Sequence, residues 1–196
     1  MYKDVSSRHT EPISDDRTLW NQIKDGERAG LEALYIKYIQ ELFRLGMSIK
    51  GDSSLVKDCI QEVFYKIWQY RHTVKTTDNV KLYLFKCLSN KIHKEVGKDK
   101  KRYDQLSLEW EGSLPNEQDV EVGSSFEKSK NLMEAMATLP SRQHEVIHLL
   151  YYENHSYEDI SLIMGINVQS VYTLAWKAIA NLKKRFALIG LILLII

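Results

Sequence analysis

The stretch LVKDCIQEVFYKIW, residues 55–68, decides the fold class of this chain. Its apolar residues Leu55, Cys59, Ile60, Val63, Phe64, Ile67 and Trp68 recur three and four positions apart, the spacing that gathers side chains on one face of an α-helix. Asp58, Gln61, Glu62 and Lys66 fall on the other face, acid toward the start and Lys66 in the last turn, as the helix dipole favours. Taken alone, this is an amphipathic core helix with a solvated back.

The same periodicity extends in both directions. Upstream, Asp15 or Asp16 can cap a short helix carrying Leu19, Trp20 and Ile23, which Asp25-Gly26 would end. A second helix carries Leu31, Leu34, Tyr35, Tyr38, Ile39, Leu42, Phe43 and Leu45, and Gly51-Asp52-Ser53-Ser54 breaks it. Downstream, a polar loop over residues 71–79 leads to a fourth helix over residues 80–97, with Leu84, Phe85, Leu88 and Ile92 for the core. Tyr83, Lys86, Asn90, Lys91 and Lys94 surround that core face, interleaving aromatic and amide groups with positive charge. Such a surface is either a solvated helix back or a site that stacks unpaired bases while lysines hold phosphates.

With 9 Gly and 3 Pro in 196 residues, 44% hydrophobic and 27% charged, the chain reads as an all-α globular protein of two small domains. Cys59 and Cys87 lie on apolar helix faces without a short-spaced partner, which argues against a disulfide framework or a cysteine zinc site and suits a reducing cytoplasm. The N-terminal residues have no apolar signal core, and no run reaches the roughly 20 apolar residues needed to cross a bilayer. The net charge of +1 conceals an alternation: seven Lys/Arg between Lys86 and Arg102, then seven Asp/Glu and no Lys or Arg over residues 104–127. The basic run continues an amphipathic helix; the acidic one, with Gly112, Pro115 and Gly123, reads as a linker in which Trp110 and Leu114 could still dock.

A second module begins near Phe126. Leu132, Met133, Met136 and Leu139 mark a helix stopped by Pro140, and Ser141 can cap the next, which carries Val146, Ile147, Leu149 and Leu150. Ser156-Tyr157-Glu158-Asp159 resembles a capping box, Gly165 suits a left-handed turn, and Asn167 can cap VQSVYTLAWKAIANLKKR. Ser161, Gly165 and Val171 stand where a helix-turn-helix needs a close contact, a turn and a packing residue. In that motif Val168, Gln169, Ser170, Tyr172 and Thr173 would reach base edges, and Lys177, Lys183, Lys184 and Arg185 suit phosphates. The bland alternative is a structural helical hairpin.

These residues together resemble the extracytoplasmic-function (ECF) sigma factors of bacterial RNA polymerase, over residues 19–186. Asp58, Gln61-Glu62-Val63-Phe64 and Ile67-Trp68 look like the polymerase-clamp-binding helix of region 2, and Leu139-Pro140 with the helix-turn-helix around Val171 and Ala178 look like region 4. The resemblance implies a polar tail over 1–14, region 2 over 15–102, an acidic linker over 103–126, region 4 over 127–186 and an apolar tail over 187–196. It implies binding of core RNA polymerase through Asp58, Gln61, Glu62 and Lys66. It implies capture of flipped bases of the −10 promoter element by Tyr83, Lys86, Asn90, Lys91 and Lys94, with the loop over 74–79 closing on one of them. Val168, Gln169, Ser170, Tyr172, Thr173 and Lys177 would read the −35 element as duplex. No cofactor, metal or catalysis is implied, and a membrane-bound anti-sigma factor is the expected regulator. The linker would mimic nucleic acid in the polymerase, a role its seven uncompensated charges suit. Two departures leave the promoter sequence open: Tyr172 stands where Lys or Arg is common, and Lys94 where Asp or Asn is frequent.

Two other readings compete. His144-Glu145-Val146-Ile147-His148 is a literal HExxH zinc-protease motif, but the extended pattern wants Gly at 151 and His at 154, where Tyr151 and Asn154 stand. A free-standing helix-turn-helix repressor would have no use for the first module. The apolar tail, Ala187 and the residues up to Ile196, follows Lys183-Lys184-Arg185 and would be a sticky patch in water, so it is expected to pack between the modules or on a partner. Simple continuation of the last helix and a shallow membrane-surface anchor are the alternatives.

Overall fold

The computed structural model describes the backbone of residues 15–106, 132 and 134–193, and the side chains of residues 15–98, 132 and 134–185. Every regular element among them is helical. The first module comprises α1 (Asp16–Lys24), α2 (Arg28–Ile49), α3 (Ser53–Gln69) and α4 (Val80–Leu106). α3 starts where Asp52 accepts hydrogen bonds from the Ser54 and Leu55 N–H groups at 3.0 and 3.1 Å, satisfying two donors that a helix start otherwise leaves free. Its buried stripe is Val56, Cys59, Ile60, Val63, Phe64 and Ile67, while Leu55 and Trp68, expected in the core, are only half-buried. A Cβ at Gly46 would collide with Val56, so the glycine is what lets α2 and α3 approach closely here. α4 continues past the expected end at Gly97 to Leu106 and so includes the first residues of the expected linker.

In the second module residues 134–137 form a helical turn, with Met136 and Leu139 buried and Leu132 exposed. Then follow α5 (Ser141–Ile147), a π-helical turn (His148–Tyr152), α6 (Tyr157–Met164) and α7 (Val168–Leu193). The expected caps of the helix-turn-helix are present: Ser156 Oγ accepts from the Asp159 N–H at 3.0 Å, and Asn167 Oδ1 from the Ser170 N–H at 2.7 Å. Gly165 between them has φ +65, in the left-handed region. Val171, Ala175 and Ala178 bury the inner side of α7.

Ser141 is not the cap of its own helix: Pro140 occupies that position, and the Ser141 hydroxyl donates to the Ile49 carbonyl of the first module at 2.7 Å. The modules pack directly, α5 against α2 and α6 against α4, over a continuous apolar core. The N-terminal residues 1–14, the acidic stretch 107–131 with Trp110, Leu114 and Phe126, Met133, and the side chains of the apolar tail lie outside the described residues.

Candidate functional site

Three surfaces hold the residues singled out by sequence. The first lies between α3 and α4, where a cavity of about 350 Å³ opens. Tyr83, Asn90, Lys91 and Lys94 from α4 meet Glu62, Lys66 and Ile67 from α3 there, with Val74 of the intervening loop at the rim. Lys86 is exposed on α4 but does not line the cavity. Burial and the neighbouring Cys87 push the Tyr83 phenol up to about 12, so it stays a neutral ring and hydroxyl. Asn90 is exposed and presents its amide to the opening.

Lys91 plays a different part from its neighbours. Its ammonium is paired with Glu62 and, at 2.8 Å, with Glu95, leaving the side chain only 16% exposed. Lys66 approaches Glu62 at 2.8 Å from the same helix. Those two lysines hold the Glu62 carboxyl down at about 2. Glu62, Lys66 and Lys91 therefore form an ionic brace joining α3 to α4, which spacing along one helix could not disclose.

Sequence reasoning placed Trp20 simply in the core, yet it also positions the loop. Its indole N–H donates to the Lys75 carbonyl at 3.3 Å, and its ring meets Tyr83 edge-on at 5.2 Å. Lys24 of the same helix donates to Thr76 Oγ1 at 2.8 Å. α1 thus holds the loop beside the cavity.

The second surface is the outer side of α3. Asp58 and Gln61 are exposed on it, and neither makes a side-chain hydrogen bond or ion pair among the described residues. Beside it Leu31, Glu32, Tyr35, Ile36 and Phe64 line an open groove in which Ile36 is 74% exposed. The expected core stripe of α2 included Tyr35, which lies at this groove with its ring edge-on to Phe64 at 5.1 Å. Ile36, one position on, carries no signal in the sequence, because a single exposed apolar residue has no periodic signature.

The third surface is the outer side of α7. Gln169, Tyr172, Thr173 and Lys177 are exposed there, while Val168 and Ser170 are half-buried. Trp176, not anticipated as a surface group, is 70% exposed. The HExxH residues lie elsewhere, between the modules. Glu145 is fully buried and accepts from Ser89 Oγ at 2.6 Å, with His93 Nε2 at 2.8 Å. His144 Nδ1 donates to the Ser48 carbonyl at 2.6 Å, and His148 stacks on Tyr152. Among the described residues no group of three His, Cys, Asp or Glu side chains is arranged to hold a metal ion.

The comparisons with known proteins fall on the same two modules. Residues 34–102 match the family model for sigma-70 region 2, and residues 129–182 that for sigma-70 region 4. The ECF RNA polymerase sigma factor SigM of Bacillus subtilis is 26% identical over 153 residues, covering 78% of this chain and 93% of its own length. Among solved structures, the sigma factor RpoE in complex with the anti-sigma factor NepR from Bartonella quintana superposes with a TM-score of 0.61 at 18% identity, covering 80% of this chain and 96% of its own. CnrH in complex with the cytosolic domain of CnrY gives the same TM-score at 19% identity, over 88% and 97%. These two solved structures share the fold of this chain.

Proposed function

The chain belongs to the sigma-70 family of RNA polymerase sigma factors, as an alternative sigma factor of the extracytoplasmic-function kind, and from that membership we propose how its surfaces divide the work. Core polymerase docks on the outer side of α3 through Asp58 and Gln61, with the apolar groove of Tyr35, Ile36 and Phe64 alongside. That combination of a polar rim and an apolar centre is what a stable protein interface requires. Glu62 and Lys66 contribute by bracing α3 against α4.

The observation that carries the reading is the cavity between α3 and α4, which gathers Tyr83, Asn90 and Lys94 with the Val74 loop at one opening. An unstacked base of the −10 element enters there. Tyr83 supplies an aromatic face, Asn90 an amide for the base edge, and Lys94 with Lys86 the charge for phosphates. Stacking is worth about 1–3 kcal/mol per base, which offsets part of the cost of opening the duplex. Helix α7 enters the major groove of the −35 element with Gln169, Tyr172 and Thr173 foremost.

No bond is made or broken by this chain: its mechanism is binding, and the chemistry belongs to the polymerase. No helix of the described residues is long and apolar enough to cross a membrane. A membrane-bound anti-sigma factor is the proposed regulator, and the apolar residues 187–196 a candidate contact for it. Run-off transcription by core polymerase with and without the full-length chain, on fragments of the source genome, tests the reading. Promoter-specific transcripts that need the chain support it. A chain that does not bind core polymerase sinks it in favour of a free-standing repressor.

A further inference from the structure

The outer side of helix α7 is aromatic and amide-bearing rather than cationic at its start. Four exposed side chains lie opposite the buried Val171, Ala175 and Ala178: Gln169, Tyr172, Thr173 and Trp176, spaced three and four apart. No Lys or Arg occurs over residues 168–176, and the first cation is Lys177. Bidentate reading of guanine calls for Arg or Lys, whereas Gln suits adenine and apolar groups suit the thymine methyl. The conformations sharpen this contrast. Thr173 donates its hydroxyl to the Gln169 carbonyl at 2.9 Å, which leaves its methyl and the acceptor side of its oxygen, but no donor, for a ligand. Tyr172 lies flat on Tyr157 of α6, ring centroids 4.0 Å apart and planes 15° apart, so its ring is held in place while 47% of the residue remains exposed. Trp176 continues the aromatic strip one turn further along, 70% exposed.

We propose that this face selects A·T pairs in the −35 element: Gln169 reads an adenine edge, the Tyr172 ring, the Thr173 methyl and the Trp176 ring pack on thymine methyls, and Tyr157 is a positioning residue that fixes Tyr172. The proposal rests on α6 and α7 entering the major groove as a sigma region 4. Scattered exposed aromatics are the bland alternative, but here one ring is stacked on a ring of another helix, on the side of α7 assigned to DNA by the proposed function. Removing a thymine methyl while keeping the base pair is therefore the direct probe.

Holoenzyme made from core polymerase and the full-length chain would be used to select promoter fragments randomised upstream of a fixed −10 element. The recovered sites are expected to be A·T-rich where α7 docks. Replacing their thymines by uracil should weaken binding about fourfold for each contacted methyl. Trp176→Ala and Tyr172→Ala should erase the thymine-over-uracil preference. Tyr157→Leu should reduce it and Tyr157→Phe restore it, with helix content unchanged in both by circular dichroism. A G·C-rich selected site, or uracil tolerated without loss by a holoenzyme that still initiates, overturns the inference while leaving the sigma reading intact. A chain that forms no holoenzyme at all overturns the reading beneath it.

Discussion

His148 shows how a single buried side chain sets a response of the whole chain. Burial holds its imidazole down at about 4 from the ordinary 6.5, outweighing attraction from Glu153, whose Oε1 stands 3.6 Å from Nε2, too far for a hydrogen bond. His144 and the Arg44 guanidinium press the same way as burial. Between those two values the unfolded chain binds the proton that the folded chain refuses, so stability is lost as pH falls from roughly 6.5 toward 4, by about 3 kcal/mol in all. Melting curves at neutral and mildly acid pH should show that loss, and His148→Phe should shrink it. His155, also pushed down by burial, leaves a residual slope of the same sign. A second expectation separates the two roles on α3. Asp58→Lys should weaken holoenzyme formation at least about tenfold with melting unchanged, if that charge sits in a desolvated contact. Glu62→Gln, which breaks the brace, should cost no more than about 1 kcal/mol, because the pair is partly in water. An Asp58 variant with full polymerase affinity would return the outer side of α3 to a plain solvated face.

Individual helices differ in how far the sequence announced them, and the reasons are physical. α3 was legible because its apolar stripe is a local feature, whereas Asp52, read only as part of the break before the helix, is its cap. The helix-turn-helix was legible for the same reason: Ser156, Gly165 and Asn167 act within three residues of themselves. Ser141 was misread because a Ser after Pro at a helix start looks like a cap, while its actual partner is 92 residues distant. That partner belongs to the end of α2, whose last carbonyls have no acceptor role within their own helix. Gly46 is served by the Lys50 N–H, and Ser48 and Ile49 by His144 and Ser141 of the other module. The π-helical turn after α5 also lacks a sequence signature, yet it leads the chain round to Glu153, which meets Lys81 of α4 at 3.1 Å. At the cavity, Tyr83, Asn90 and Lys94 were anticipated, whereas Trp20 was not, because its bond to the Lys75 carbonyl joins segments 55 residues apart. Trp20→Phe keeps an aromatic ring against Tyr83 but removes that bond and, because Trp20 is buried, leaves a small cavity in the core. It should weaken opening of the −10 element, followed by fluorescence of a base analogue there, while leaving assembly with core polymerase intact; an unchanged opening rate would make the loop anchor merely structural.

For the whole molecule, the decisive feature is that the two modules are joined by polar groups sunk in an apolar interface. Glu145, fully buried, depends on Ser89 and His93 of α4, and Arg142 stands 3.6 Å away. Its HExxH surroundings, which suggested zinc, instead serve this junction: His144 binds the end of α2, and His148 lines the groove between the modules with Phe43 and Met47. On the proposed assignment of α7 to the −35 element and α4 to the −10 element, reaching both at once calls for these modules to part, since α6 packs on α4. Parting returns Glu145 to water, where it needs no protein partner, so the balance between packed and parted forms hangs on how well the carboxylate is satisfied when packed. Ser89→Ala removes one of its two close partners without adding bulk. The buried group left short of a hydrogen bond costs about 1–3 kcal/mol, which shifts the balance toward the parted form by roughly 5- to 150-fold. Small-angle X-ray scattering of the free chain should record the larger radius. Faster holoenzyme assembly should accompany it, since less work remains for the polymerase to do. Serine at 89 replaced by alanine with neither effect would mean that apolar packing alone, through contacts such as the Phe85 ring on His155, holds the modules together.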